Sequence, residues 1–177
     1  DRGNVLESTK RELDILNRLI PIGNVAAASF YAVANNKHGK NQIYQFMSIA
    51  PYKDLRFLGN FFELAEIGYN DESAIMIKTD VINQMVEIVT RLHQNGICHR
   101  DLKPDNFLLS AEGKVLLADF ATVAYKREDN FWEVISQASD PVYMPPASLF
   151  ARKLNEEQLY KVMDQWALAV SILKMFG

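Results

Sequence analysis

The sequence predicts an α+β chain: one mainly helical unit carrying small β elements. Two patterns predict it. Apolar residues recur at three- and four-residue steps in three segments, and short apolar runs face each other across polar turns. The first helix is expected over Thr9–Ile20, where Leu13, Leu16 and Ile20 form one stripe. Thr9 with Glu12 has the spacing of a capping box, and Pro21 and Gly23 stop the helix. Ser29–Ala34 and Asn41–Ala50 then read as two strands joined by the polar turn Asn35–Lys40. An aromatic-rich stretch, Asp54–Ile67, should contain a short helix. The clearest helix is Asp80–Asn95, with Val81, Met85, Val89 and Leu92 on one face and Gly96 at a left-handed cap. Phe107–Leu109 and Lys114–Ala118 flank Glu112-Gly113 as in a tight hairpin. Ala121–Pro146 reads as loop, and helix resumes after Asn155, with Asp164–Phe176 apolar on most sides.

The 177 residues carry 19 Lys+Arg against 22 Asp+Glu, a net charge of −3, with 49% apolar residues. That is the profile of an ordinary globular domain, long enough to bury a core without disulfides or metal staples. A single cysteine, Cys98, rules out a disulfide framework and a cysteine-rich zinc site, and suits a reducing, cytoplasmic compartment. A pI near 5.6 without a basic block argues against nucleic acid as the main partner. No apolar run reaches the roughly 18 residues of a membrane span.

The chemistry concentrates in His99-Arg100-Asp101-Leu102-Lys103-Pro104-Asp105-Asn106, between the long helix and the hairpin, and in Asp119-Phe120-Ala121, 18 residues after Asp101. These strings resemble the H-R-D-L-K-P-x-N and D-F-G signatures of eukaryotic-type protein kinases, in their Ser/Thr branch. The resemblance implies transfer of the γ-phosphoryl of ATP to a protein Ser/Thr hydroxyl, with Mg²⁺ as cofactor. Phosphoryl transfer needs charge neutralised on the nucleotide and the acceptor held in line. Asp101 would orient that hydroxyl, and Asn106 and Asp119 would offer the oxygen ligands that hard Mg²⁺ prefers. The resemblance gives Lys103 the place beside the transferring phosphoryl group. His99 reads as a core histidine packed on Phe120, with no ligand role.

The resemblance runs along the whole chain. Glu12 falls in the helix whose Glu pairs with the ATP-binding Lys, while the capping box remains its other reading. Met47 takes the gatekeeper position, Ser48 and Ala50 offer main-chain bonds to adenine, Asp54 lies near the ribose and Leu108 beneath the adenine ring. Pro141–Ala147 resembles the P-x-Y-M-A-P-E end of the activation segment. Asp164-Gln165-Trp166 resembles the D-x-W start of the central helix, where Asp164 would tie down the catalytic loop. Arg100 marks the class often switched by activation-loop phosphorylation, with Thr122, Ser136 and Ser139 as candidate sites.

Three residues depart from the family pattern: Ala121 for Gly, Ala147 for Glu, and Asp140 where Thr usually stands. The Gly-rich loop and the ATP-binding Lys would both precede Asp1. The expected division is a partial N-lobe over 1–50 and a partial C-lobe over 51–177. The alternative function is a catalytically impaired kinase-like binding module, and a small-molecule kinase comes third.

Overall fold

The computed structural model describes residues 14–15, 17–26, 28–35, 41–47, 54–58, 60, 71–135, 140–146 and 154–177, giving backbone alone for 28–35 and 41–47. Residues 14, 15 and 17–19 are helical, and a 3-10 turn, Ile20–Ile22, closes them at Gly23. Thr9 and Glu12 lie outside the described residues. Two antiparallel strands follow, β1 (Ala28–Asn35) and β2 (Asn41–Met47), paired from Asn35↔Asn41 back to Ala28↔Met47.

Helix α1 spans Glu72–Gln94, so it begins eight residues before the expected Asp80. Asp71 caps it, accepting the Ala74 N–H at 3.0 Å. The early turns escape a periodicity reading because Ile75, Met76 and Ile77 are consecutive and exposed, and only Ala74 among them reaches the core. Beyond Asp80 the expected stripe is buried: Val81, Met85, Ile88, Val89 and Leu92. Gly96 adopts φ 68°, and a Cβ there would stand 3.0 Å from the Lys126 Cβ. Glycine is therefore required both by the left-handed turn and by the approach of the next strand.

Strand β3 (Ile97–Cys98) pairs with β6 (Ala124–Lys126), which pairs with β7 (Trp132–Val134). The span expected to be loop, Ala121–Pro146, thus holds two strands of three residues each, too short to show alternation. Their turn is closed by Arg127 N–H donating to Phe131 O at 2.8 Å, with Asn130 at φ 66°. The hairpin β4 (Phe107–Leu109) and β5 (Val115–Leu117) forms where expected. Ser110 Oγ accepts from the N–H of Glu112 and of Lys114 across its turn, and Gln84 of α1 accepts the Val115 N–H at 2.8 Å.

Helix α2 (Glu156–Phe176) starts on a complete capping box between Asn155 and Gln158. One buried cluster joins these parts, with Ile15 and Leu19, the α1 stripe, Ile97, Leu102, Phe107, Leu117 and Leu168 among its members. The N-terminal residues dock on the hairpin through Ala26 N–H to Leu117 O at 2.7 Å and Leu117 N–H to Asn24 O at 3.0 Å. Among the described residues, no helix is long and apolar enough to cross a membrane.

Candidate active site

The loop between β3 and β4 is built around a fully buried carboxylate. Asp164, near the middle of α2, accepts the His99 N–H at 2.8 Å and the Arg100 N–H at 2.7 Å. Its Oδ2 also accepts from His93 Nε2 at 2.9 Å. These bonds hold Arg100 at φ 69°, a conformation that is costly for a bulky residue with a Cβ and that recurs at functional sites. Cys98 lies beside this hub, and burial keeps its thiol protonated well above the usual range. His93, Cys98 and Asp164 bring ligand atoms within 4.8 Å of one another. With three N–H donors already on Asp164, the group is a hydrogen-bond hub.

His99 is wholly buried, and desolvation holds its imidazole below the ordinary value. Nε2 donates to Ala118 O at 3.0 Å, while Nδ1 accepts the Asp101 N–H at 3.3 Å. Those two bonds fix the neutral Nε2–H tautomer. The ring meets Phe120 edge-on, with centroids 5.1 Å apart. As the sequence leads one to expect, His99 packs on Phe120 in the core.

Asp101 is 9% exposed. Its Oδ2 pairs with Lys103 Nζ at 2.8 Å and accepts from Asn106 Nδ2 at 3.1 Å. Asn106 Nδ2 also donates to the Asp101 carbonyl at 2.7 Å. The carboxylate beside Lys103 holds its ammonium above the ordinary value. Asp101 Oδ1, in contrast, accepts no hydrogen bond among the described residues. The 3-10 turn Pro104–Asn106 sets the spacing, bonded from Asn106 N–H to Lys103 O at 2.9 Å.

Asp119 arrives at the same place from β5. Ala118 is pinned on both sides, its N–H on Asn106 O at 2.8 Å and its carbonyl on His99. The next residue, Asp119, is exposed at φ 62°, its Oδ1 reached by the Ala121 N–H at 3.4 Å. Asp101, Lys103, Asn106 and Asp119 are therefore gathered on one loop cluster.

The remaining expected residues divide. Asp54 forms a bridge with Leu108, and Leu55 N–H bonds Phe107 O at 2.8 Å, so Asp54 and Leu108 lie together. The Asp54 carboxylate is engaged by Arg56, through Nε at 2.9 Å and NH2 at 2.8 Å, which holds it below the usual carboxylate range. Met47 ends β2, and Glu12, Ser48 and Ala50 lie outside the described residues, as do Ser136, Ser139 and Ala147. Thr122 is corrected as a modification site: it is buried, and its Oγ1 donates to His99 O at 2.9 Å. Asp140 caps the 3-10 turn Pro141–Tyr143 by accepting the Val142 N–H at 3.0 Å. A small cavity beside it is lined by Arg100, Asp101, Asp140, Tyr143, Met144 and Met163.

Sequence reasoning missed Thr122 as a tether, and also Ser171, whose one hydroxyl proton is shared between Ala167 O at 2.8 Å and Leu102 O at 3.2 Å. A signal for Ser171 exists. It lies two helical turns beyond Asp164 on the buried face, where a polar residue requires a partner.

The protein kinase domain family matches residues 2–177. The chain belongs to the protein kinase family. It is 29% identical over 145 residues to the Rho-associated protein kinase let-502 of Caenorhabditis briggsae, covering 82% of this chain and 11% of that protein. It is 26% identical over 181 residues to the MAP kinase kinase kinase wis4 of Schizosaccharomyces pombe, covering 97% of this chain and 12% of that one. The mouse Citron Rho-interacting kinase is 30% identical over 137 residues, 77% of this chain and 6% of that protein. The chain thus spans between 6% and 12% of the length of these curated relatives.

Proposed function

We propose that the chain carries the catalytic loop of a Ser/Thr protein kinase, transferring the γ-phosphoryl of ATP to a protein hydroxyl, in the cytoplasm. The observation that carries this reading is the asymmetry of Asp101. One carboxylate oxygen is fixed by Lys103 and Asn106, and the other is buried with no hydrogen-bond partner among the described residues, an unsatisfied acceptor that a substrate hydroxyl would fill. Asp101 then orients the acceptor and takes its proton late, while the Lys103 ammonium offsets charge on the transferring group.

The donor set fits Mg²⁺. Asp119 is an exposed carboxylate with one weak backbone contact, and Asn106 contributes an amide oxygen, both hard ligands. When bound there, the ion would neutralise nucleotide phosphate charge. Leu108 would lie beneath the adenine, Met47 would be the gatekeeper, and the main chain of Ser48 and Ala50 would bond the adenine. Asp54 serves the ribose only by sharing its carboxylate with Arg56, and Glu12 pairs with the ATP-binding Lys. Residues 1–50 form part of the smaller lobe and 51–177 part of the larger.

The test is a Mg²⁺ titration of fluorescent-nucleotide binding, parent against Asp119→Ala, combined with acceptor profiling on proteins and small molecules. The reading expects Mg²⁺-dependent binding that Asp119→Ala removes, and phosphoserine or phosphothreonine as product. Identical Mg²⁺ curves, or transfer to small molecules alone, contradict it.

A further inference from the structure

Arg100, next to Asp101, is 8% exposed, and its guanidinium is already seated. NH1 donates to Thr122 O at 3.1 Å, and the guanidinium carbon lies 5.5 Å from the centroid of the Tyr160 ring. Tyr160 stands one turn before Asp164 on α2. The same helix face therefore grips Arg100 twice, at its backbone N–H through Asp164 and at its side chain through Tyr160. The ring is itself braced by Trp132 of β7, edge-on at 5.5 Å and 61°. Thr122 closes the loop by donating its Oγ1 to His99 O.

Resting on the kinase reading above, we propose that Tyr160 is a positioning residue for phosphoryl transfer: its ring, braced by Trp132, seats Arg100 and so holds Asp101 in place without a phosphate on the activation segment. Three features support this. Arg100 adopts a strained φ of 69°, which persists only where surroundings over-determine it. A guanidinium over an aromatic face is attracted by the ring's quadrupole, and here the guanidinium belongs to a buried Arg100. The chain from Trp132 through Tyr160 to Arg100 links β7 directly to the residue preceding Asp101. The ring and the Thr122 carbonyl together hold the guanidinium.

The test compares the full-length protein with Tyr160→Phe and Tyr160→Leu, read by steady-state kinetics and by hydrogen exchange of the 99–102 and 122–126 segments. Tyr160→Leu should lower kcat by about ten-fold, leave the KM for ATP within about two-fold, and speed exchange in both segments. Tyr160→Phe keeps the ring and should restore parental kcat and exchange. If Tyr160→Leu does not fold, Trp132→Leu removes the brace and should show the same split in milder form. Parental kcat and exchange in the leucine variants overturn the proposal. So does a parent enzyme whose kcat rises ten-fold or more on phosphorylation of its activation segment. Should the parent transfer no phosphate to any acceptor, the kinase reading fails, and the exchange data alone decide whether Tyr160 seats Arg100.

Discussion

Arg100 and Asp119 both take left-handed backbone angles, φ 69° and 62°, a conformation that Arg ordinarily avoids and Asp tolerates better. Each is held by fixed partners: Arg100 by Asp164, and Asp119 by the double pinning of Ala118 before it. His99 serves both, so its protonation state matters. Burial lowers its pKa, and a proton on Nδ1 would face the Asp101 N–H. The folded state thus binds fewer protons than the unfolded chain below about pH 6.5, and stability falls as pH falls through that value. The slope from this one group reaches about 1.4 kcal/mol per pH unit. His99→Phe should be less stable at pH 7.5, having lost the bond to Ala118, yet flatter between pH 7 and 5. Urea midpoints across that range decide it, and equal slopes for the two proteins would assign the pH dependence elsewhere.

At the scale of elements, caps and turns set where each piece ends. Asn155 Oδ1 accepts the Gln158 N–H at 2.9 Å and the Asn155 backbone N–H donates to Gln158 Oε1 at 3.2 Å, so Asn155→Ala should cost about 1 kcal/mol. Gly96→Ala should cost more than the usual glycine-to-alanine change, about 1–2 kcal/mol or above. It meets both a positive φ and the Lys126 side chain at 3.0 Å. Chemical denaturation of the two variants checks the ranking, and Gly96→Ala being the milder would contradict the close approach of β6. The stripe of α1 beyond Asp80 and the hairpin around Glu112-Gly113 were legible because period and turn chemistry agree there. The start of α1 was not, because Ile75–Ile77 break the period on an exposed face. Strands β6 and β7 were not, since three residues carry no alternation and their pairing with β3 is fixed by contacts far apart in sequence.

Across the whole molecule, the catalytic-loop string announced its residue types in sequence, but their roles as a network come only from the fold. Asp164, 63 residues beyond Asp101, determines the loop's backbone. Ser171 and Tyr160 act from the same helix, and nothing local to the loop names them. Asp164→Ala should therefore leave two buried backbone N–H groups and His93 without their acceptor. The expected loss is about 3 kcal/mol or more of stability, checked by thermal melts. A melting temperature near the parent's would show that the hub is dispensable.

Asp101 Oδ1, buried and without a hydrogen-bond partner among the described residues, is the oxygen assigned to the acceptor hydroxyl. The most direct test of that assignment is Asp101→Asn in the full-length protein, with single-turnover phosphoryl transfer and nucleotide affinity measured on the same preparation. The asparagine keeps the shape of the loop but cannot take the proton, so transfer should fall by about 10²–10⁴-fold while nucleotide affinity stays within a few-fold. Transfer near the parental rate would contradict the assignment.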